Sequence, residues 1–379
     1  MQHCIELARK GAGAVSPNPM VGAVIVSVDG EVLGEGYHEQ YGEAHAERNA
    51  IEDARRRGHE DALRKATLYV NLEPCSHEGR TPPCTDAILD AGIQKVVVGS
   101  IDTNPQVTGG GIGRLRSQGV EVIAGVLEAA CNRLNEAFFH HASTGRPFVT
   151  LKMAQTLDGQ VATQLGDSQW ISGEASRTLV HRWRAEQDAV MVGRGTALTD
   201  DPALTVRLTS GRQPYRIVVD REARLPASLQ LFRDEHVDKT VAVVDENAGE
   251  PAYASDLSIA GGRILRVPSD ERYRLHLKEA FAQLGAGFDG LPPIQSILVE
   301  AGPTLATSLL KQGLADRVSL FIAPMIIGSG TPAVMSLGID LLRDALTFDD
   351  VEWQPVGDDM LFSGRTIARQ TADDGAVPD

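Results

Sequence analysis

The chain has 379 residues, of which 42% are apolar and 23% are charged, and its formal net charge is −15. The length favours two domains over one core, and no apolar run is long enough to predict a membrane span. The acidic balance disfavours a nucleic-acid-binding protein, because a polyphosphate chain would be repelled.

The first part of the chain alternates short apolar strands with helical segments, which is typical of a layered α/β domain. Asp29-Gly30 is a favourable hairpin pair between the first two strands. The predicted strands are residues 21–28, 32–37, 67–72 and 95–100, and the predicted helices are residues 45–57, 85–91 and 131–141. This arrangement places His45 and Glu47 in the first turn of a helix, and Cys84 opens the next one.

A second α/β pattern follows the turn-forming residues 143–147, which indicate a domain boundary. We predict domains at residues 1–142 and 146–369, and a disordered polar tail at 370–379. Helices are expected between several of the strands. The predicted strands are residues 148–153, 189–192, 216–219, 240–244, 296–299 and 317–322.

A histidine, two cysteines and a glutamate are the most informative residues of the first half. His45 and Glu47, followed by Cys75 and Cys84, resemble the signature of zinc-dependent nucleobase and nucleotide deaminases. Two thiolates and one imidazole leave one tetrahedral position of Zn²⁺ for a water, which ionises there near neutral pH. Glu47 could carry its proton to the departing amine. The alternative is a core histidine, two buried thiols and a carboxylate at a helix start.

Longer segments extend this pattern through both halves. In the first half they are residues 16–24 (SPNPMVGAV), 45–47 (HAE) and 72–84 (LEPCSHEGRTPPC). In the second half they are residues 157–159 (LDG), 168–171 (SQWI), 199–207 (TDDPALTVR) and 299–305 (VEAGPTL). Together they closely resemble the bifunctional riboflavin-biosynthesis deaminase–reductase family over nearly the whole chain.

The resemblance implies two folds and two reactions. The N-terminal fold would be a cytidine-deaminase-like three-layer α/β/α domain that removes the 2-amino group of a diaminopyrimidinone ribosyl phosphate. The C-terminal fold would be a dihydrofolate-reductase-like α/β domain that uses NADPH to reduce the ribosyl chain to ribityl. The implied ligands are one Zn²⁺, NADPH and a small phosphorylated pyrimidine.

Within the deaminase half, the resemblance also implies substrate contacts. The amide of Asn18 would bind the pyrimidine ring, although Asn18 between two prolines is also a turn residue. His77 and Arg80 lie between the two cysteines, where a solvated loop is the alternative. Arg80 suits a phosphate, because a guanidinium binds oxyanions through two parallel hydrogen bonds.

For the reductase half, the resemblance implies three catalytic residues. Lys152 would polarise a carbonyl or imine of the sugar before the hydride arrives, with Asp200 and Glu300 as its partner carboxylates. The ordinary readings are an exposed strand lysine for Lys152 and a helix cap for Asp200. Glu300 is also a predicted substrate contact, together with Ser168, Arg184, Leu204 and Arg207.

The predicted cofactor contacts lie on glycine-rich turns and neighbouring strands. They are Ala154, Trp170, Thr196, Asp200, Arg221, Gly302, Pro303, Thr304 and Leu305. Trp170 could instead be a core residue, and Arg184 could lie on a solvated helix face. Arg221 stands where the family has a small hydroxyl residue, so it could bind the 2′-phosphate of NADPH or point away from the cofactor.

Three other functions remain open from the residues alone. The second domain could be non-catalytic and serve assembly of a monofunctional deaminase. An editing deaminase on nucleic acid is disfavoured by the net charge and by the 5% aromatic content. A structural zinc protein is disfavoured because three ligands leave an open site. We expect a cytoplasmic homo-oligomer, a dimer or tetramer, without nucleic-acid or membrane partners.

Overall fold

The computed structural model describes residues 1–77, 82–102, 110–271 and 274–367. Arg80 and the predicted tail, residues 370–379, therefore lie outside the described residues. Within the described ranges, no helix is both long and apolar enough to cross a bilayer. The chain forms two compact units: Met1–Pro147 with Gly285–Gly287 and Leu291–Gln295, and Phe148–Leu284 with Phe288–Gly290 and Ser296–Asp379.

The described part of the first unit contains a sheet of five strands in the order β2-β1-β3-β4-β5. β1 pairs antiparallel with β2 and β3, whereas β3, β4 and β5 are parallel. The strands are β1 (Gly22–Val26), β2 (Val32–Tyr37), β3 (Thr67–Leu72), β4 (Lys95–Ser100) and β5 (Glu121–Ala124). The helices are α1 (Gln2–Arg9), α2 (Ala46–Arg56), α3 (Cys84–Asp90), α4 (Gly110–Ser117), α5 (Glu128–Leu134) and α6 (Glu136–Thr144).

Helices cover both faces of this sheet. Apolar residues of α2, α3 and α4 share a core with one face of β1, β3 and β4, while Cys4 and Leu7 of α1 pack on the opposite face beside Val24. Strands buried on both faces are rich in apolar residues, as β4 is at Val96–Val98, which is why such strands could be predicted. The observed layers are therefore helix, sheet and helix.

Two glycines of β2 allow α2 to approach the sheet closely. A Cβ atom on Gly34 would lie 2.4 Å from the Ala50 carbonyl oxygen, and one on Gly36 would lie 2.5 Å from the Ala50 nitrogen. Any larger residue would push the helix away. The spacing matters for function because the N-terminal turn of α2 carries His45 and Glu47.

The prediction of one helix over residues 131–141 is wrong. The structure has α5 and α6 instead, separated at Asn135, whose φ of −111° and ψ of 24° are not helical. The Asn135 side chain accepts a hydrogen bond from the Met20 nitrogen at 2.8 Å and donates to the Met20 oxygen at 2.9 Å. This long-range pair competes with the helical backbone pattern.

In the second unit, nine strands of the described chain form a sheet in the order β11-β10-β9-β8-β12-β6-β13-β16-β15, and β7 pairs with β14. The predicted strands correspond to β6, β8, β9, β10, β12 and β13. The strands are β6 (Phe148–Thr156), β7 (Gln160–Thr163), β8 (Ala189–Gly193), β9 (Tyr215–Val219), β10 (Thr240–Asp245), β11 (Arg263–Val267), β12 (Ser296–Glu300), β13 (Arg317–Ala323), β14 (Gly330–Pro332), β15 (Phe348–Val356) and β16 (Asp359–Thr366). The helices are α7 (Glu174–Glu186), α8 (Arg194–Asp200), α9 (Ala254–Ile259), α10 (Leu277–Ala286) and α11 (Pro303–Lys311).

Strand order locates the functional edge of this sheet. The chain moves outward from β8 through β9, β10 and β11, then returns to insert β12 between β8 and β6. These strands are parallel, so their carboxyl ends share one edge. Open α/β sheets bind ligands at such a reversal of strand order. The glycine-rich turns after β8 and β12 open α8 and α11.

Candidate functional site

Three potential metal ligands converge in the first unit. His45 immediately precedes α2, Cys75 follows the end of β3, and Cys84 begins α3. The His45 Nδ1 atom lies 3.6 Å from the Cys75 Sγ and 3.3 Å from the Cys84 Sγ, and all three atoms lie within 4.8 Å of one another. Ligand atoms of a tetrahedral zinc site lie roughly 3.3–3.8 Å apart. The three residues therefore fit Zn²⁺ and leave one position of the tetrahedron open.

The two cysteine thiols of this cluster have pKa values shifted in opposite directions. The Cys84 backbone N–H donates a hydrogen bond to the Cys75 Sγ at 3.3 Å. Hydrogen bonding from Cys84 lowers the pKa of the Cys75 thiol to about 4, whereas the hydrogen bond with Cys75 and burial raise the pKa of the Cys84 thiol. One thiol is thus ionised at neutral pH, and thiolate is the form that binds zinc.

Glu47 lies beside this cluster in the first turn of α2. Its side chain is buried, with 3% of the residue exposed, and its carboxyl group contacts the Cys84 thiol. Burial raises the pKa of Glu47 to about 7. A carboxyl group with such a pKa can both take up and release a proton near neutral pH, as general acid–base catalysis requires.

The Asn18 side chain reaches the same region through a histidine that the sequence analysis did not single out. Asn18 Nδ2 and His38 Nε2 are 3.0 Å apart, and His38 Nδ1 lies 3.1 Å from the Ala44 oxygen. The His38 ring also packs edge-on against the His45 ring, with centroids 5.1 Å apart. The only local signal for His38 is its position directly after β2.

The structure shows less about the two remaining predicted deaminase contacts, His77 and Arg80. His77 is exposed, two residues after Cys75. Arg80 lies outside the described residues, so its predicted contact has no structural description. Of the deaminase predictions, His45, Glu47, Cys75 and Cys84 are the ones brought into direct contact.

In the second unit, a cavity of about 1430 Å³ opens at the carboxyl ends of β6, β12, β8 and β9. Every site residue predicted for the reductase half lines it. The predicted catalytic and substrate-binding residues are Lys152, Asp200, Glu300, Ser168, Arg184, Leu204 and Arg207. The predicted cofactor contacts, besides Asp200, are Ala154, Trp170, Thr196, Arg221, Gly302, Pro303, Thr304 and Leu305.

A charged cluster forms one wall of the cavity. Arg184 donates to Glu300 through Nε at 2.6 Å and through Nη2 at 3.0 Å, and the strand register pairs Glu300 with Lys152. Burial acts to raise the pKa of Glu300, but Arg184 and Lys152 lower it to about 2. Burial lowers the pKa of Lys152, and Glu300 opposes this shift. Glu300 is therefore ionised at every physiological pH.

This cluster also decides between two sequence interpretations. Arg184 is buried and bound to Glu300, which excludes a solvated helix face. Lys152 is half-buried beside that carboxylate and is not an exposed strand lysine. Lys152 Nζ also lies 5.8 Å from the centre of the Phe321 ring.

Other predicted residues take distinct positions on the cavity wall. Trp170 is 65% exposed and stacks under the Arg177 guanidinium at 4.6 Å, so it is not a core residue. Leu204 is 1% exposed and belongs to the apolar core of this unit. Arg221 forms an ion pair with Glu222, and Asp200 is exposed at the end of α8.

The cavity also has features that suit a dinucleotide. Its volume exceeds the common range of small-molecule pockets, about 300–1,000 Å³. The first turns of α8 and α11 face the cavity through Thr196 and residues 302–305. Backbone N–H groups at such turns suit phosphate groups, so the residues present fit NADPH.

Comparisons with known proteins give the same division of the chain. Residues 147–362 match the family model of the RibD C-terminal domain, and residues 1–100 match the cytidine and deoxycytidylate deaminase zinc-binding region. The riboflavin biosynthesis protein RibD of Aquifex aeolicus is 40% identical over 363 residues, which cover 96% of each chain.

Solved structures agree over the whole length. The RibD of Acinetobacter baumannii is 34% identical, covers 97% of this chain and 98% of its own, and has a TM-score of 0.83. A diaminohydroxyphosphoribosylaminopyrimidine deaminase/5-amino-6-(5-phosphoribosylamino)uracil reductase from Thermotoga maritima is 38% identical. It covers 97% of both chains, with a TM-score of 0.80.

Proposed function

The chain belongs to the RibD family of riboflavin-biosynthesis proteins, and on that premise we propose that its substrate is 2,5-diamino-6-(5-phosphoribosylamino)pyrimidin-4(3H)-one. The protein is a bifunctional enzyme, a zinc-dependent deaminase followed by an NADPH-dependent reductase. The predicted fold class is confirmed: a cytidine-deaminase-like domain precedes a dihydrofolate-reductase-like one. The proposed product is 5-amino-6-(5-phosphoribitylamino)uracil.

His45, Cys75 and Cys84 would hold the zinc ion of the deaminase. Zinc supplies a nucleophile at neutral pH, because it lowers the pKa of a water to near 7. Glu47 would take up a proton from the attacking water as its oxygen bonds to the ring carbon C2, and would return a proton to the 2-amino group, which leaves as ammonia when the C–N bond breaks. The burial and the raised pKa of Glu47 support this role.

Substrate recognition in the deaminase falls to three residues. Asn18 would bind the pyrimidine ring through its amide, and its contact with His38 next to the His45 ring supports this position. We assign His77 and Arg80 to the ribose phosphate. Their place in the sequence between Cys75 and Cys84 supports that assignment.

In the reductase, Lys152 would polarise the sugar carbonyl or imine, and Glu300 would hold Lys152 in place while contacting substrate. NADPH supplies the hydride. Asp200, which also lines the cavity, would be the further catalytic carboxylate and a cofactor contact. Ser168, Leu204 and the arginines Arg184 and Arg207 are the remaining substrate contacts that we propose, and the two arginines would bind the 5′-phosphate of the substrate.

The cofactor would lie along the first turns of α8 and α11. The contacts that we assign to NADPH are Ala154, Trp170, Thr196, Asp200, Arg221, Gly302, Pro303, Thr304 and Leu305. The exposed indole of Trp170 and the backbone N–H groups at the two helix starts support this position. Arg221 would reach the 2′-phosphate by exchanging its ion pair with Glu222.

We assign the deaminase to residues 1–142 and the reductase to residues 146–369. The edge strand β15 supports a homo-oligomer, because an unpaired strand edge can pair with a second copy. The side chain of Trp353 on this strand is 58% exposed. The acidic net charge supports the absence of nucleic-acid partners. The proposed location is the cytoplasm.

The observation that carries this function is the presence in one chain of two complete sites: the zinc cluster with Glu47 and the Lys152–Glu300–Arg184 cluster in a cavity. The test is NADPH absorbance with zinc-loaded protein and the diaminopyrimidinone substrate. The wild type should consume NADPH, and a Glu47→Ala variant should not until the deaminated intermediate is supplied. Deamination without any NADPH consumption would overturn the reductase assignment.

A further inference from the structure

His181 is a buried histidine to which the reductase mechanism assigns no task. It lies on α7, one helical turn before Arg184, and only 5% of it is exposed. It also lines the reductase cavity, beside Arg184 and Arg207. A titratable side chain in that position invites a functional explanation.

The contact of His181 belongs to a set that fixes residues 201–207. This segment forms neither helix nor strand, so side chains from other parts of the second unit satisfy much of its backbone. Gln230 donates to the Asp201 oxygen at 2.7 Å, Arg216 to the Ala203 oxygen at 3.0 Å, and Arg184 to the Thr205 oxygen at 3.0 Å. The last contact, at 3.1 Å, runs from the Arg207 backbone N–H to His181 Nδ1.

The two arginines of the proposed phosphate site differ in how many hydrogen bonds they can still offer. Arg184 uses three of its five N–H donors on Glu300 and Thr205. Arg207 is exposed on the cavity wall, and among the described residues no hydrogen bond or ion pair engages its guanidinium. The Arg207 guanidinium therefore has N–H donors available for two parallel hydrogen bonds to a phosphate. The position of this side chain depends on where the Arg207 backbone is held.

The contact requires a neutral imidazole. To accept a hydrogen bond, Nδ1 must be unprotonated, which places the proton of the neutral ring on Nε2. Burial and the nearby charges of Arg184 and Arg207 lower the pKa of His181 to about 4, while Glu300 opposes this shift. His181 thus remains an acceptor throughout the physiological range.

We propose that His181 is a positioning residue of the reductase, which fixes the Arg207 backbone so that the Arg207 guanidinium meets the 5′-phosphate of the substrate. This inference rests on the proposed function of Arg207 as a phosphate contact. His181 would thereby contribute to substrate specificity without touching the ligand, because the neutral imidazole holds the backbone of the 201–207 segment.

Two substitutions at His181 separate its hydrogen bond from its bulk. His181→Asn keeps an acceptor, because the asparagine Oδ1 is as many bonds from Cβ as Nδ1 is. His181→Leu keeps similar volume and removes the acceptor. Each full-length variant is assayed for NADPH-dependent reduction of the deaminated intermediate and of its dephosphorylated riboside. Deamination by the same preparation serves as the control for intact protein.

The expected result for His181→Leu is a KM for the phosphorylated substrate raised about tenfold, the size of one lost hydrogen bond. The kcat should change little, because the lost interaction serves binding. The riboside should show no such increase, and His181→Asn should restore the wild-type KM. NADPH affinity should be unchanged, measured by quenching of the tryptophans, which all lie in the second unit.

Arg207→Ala distinguishes the two assignments. If it leaves the preference for phosphate over riboside intact, the proposed phosphate contact is wrong and the His181 proposal falls with it. If it removes the preference while His181→Leu does not reduce it, only the His181 proposal is overturned. Adding His181→Leu to Arg207→Ala should change nothing further. If His181→Leu does not fold, His181→Gln, whose amide reaches the Nε2 position instead, replaces it in the comparison with His181→Asn.

Discussion

Glu47 and Glu300 are both shielded from solvent beside the chemistry of their own unit, yet their surroundings differ. Burial beside the Cys75 and Cys84 thiols raises the pKa of Glu47 to about 7. Glu300 receives two hydrogen bonds from Arg184, which help to lower its pKa to about 2. The same type of side chain thus has a pKa suited to proton transfer in one unit and is a fixed negative charge in the other.

The two sites also differ in how the chain assembles them. The zinc ligands come from residues 45–84, at the ends of neighbouring elements. The Arg184–Glu300 pair joins residues 116 positions apart, and the surrounding cavity needs four parallel strands in a non-sequential order. A local sequence motif can therefore assemble the candidate metal site, whereas the Arg184–Glu300 pair in the cavity wall depends on the order of the strands.

The largest expected effect tests whether the metal site is independent of the reductase. Cys75→Ala should lose the bound zinc and with it all measurable deamination, because two remaining ligands cannot hold the ion. Reduction of the deaminated intermediate should continue. Metal content per chain and the two rates are the measurements. Cys131→Ala, which also removes a thiol of the first unit, is the matched control and should keep one zinc.

Replacing Glu47 tests the proton-carrier half of the comparison. Glu47→Gln keeps the shape but cannot carry a proton, so deamination should fall about 10²–10⁴-fold while zinc stays bound. Reductase activity should not change. Loss of zinc in this variant would instead make Glu47 a structural residue, and the comparison with Glu300 would no longer hold.

The features that could be predicted from the sequence are those set by neighbouring residues, and the features that could not are those set by long-range contacts. The Val96–Val98 run of β4 is apolar, and His45 and Cys84 lie at helix starts, so both features could be predicted from the local sequence. The helix break at Asn135 was not, because it depends on a contact with Met20, 115 residues away. The hairpin of β15 and β16 also escaped prediction, since β15 is a mostly exposed edge strand without a buried face.

Replacing Glu300 tests the fixed-charge half of the comparison. The Arg184 and Glu300 side chains are only 10% and 15% exposed, and removing one charge from a buried pair costs about 3–5 kcal/mol. Glu300→Gln should therefore destabilise the second unit by about that amount and abolish reduction. Tryptophan fluorescence during denaturant unfolding measures it, because Trp170, Trp183 and Trp353 all belong to the second unit.

The control for Glu300 is an ion pair on the surface of the same unit. Glu250 pairs with Arg266 at 2.8 Å, and the Glu250 side chain is 72% exposed. Glu250→Gln should cost less than about 1 kcal/mol. Equal losses in the two variants would mean that burial adds nothing to the Arg184–Glu300 pair.

The smallest expected effect is a loss of stability of the second unit at low pH. It distinguishes His181 from Glu300, because the two groups titrate in different pH ranges. Both groups have lowered pKa values in the folded protein, so the unfolded chain binds more protons and each contribution is lost as the pH falls. For His181 the loss runs from pH 6.5 down to about 4, and for Glu300 from 4.5 down to about 2. The second unit should therefore begin to weaken below pH 6.5 through His181, and Glu300 should add to the loss only below pH 4.5. In His181→Asn, whose side chain does not titrate, the decline followed by tryptophan fluorescence should begin at lower pH. An unchanged onset would mean that protonation of His181 is not what weakens the unit.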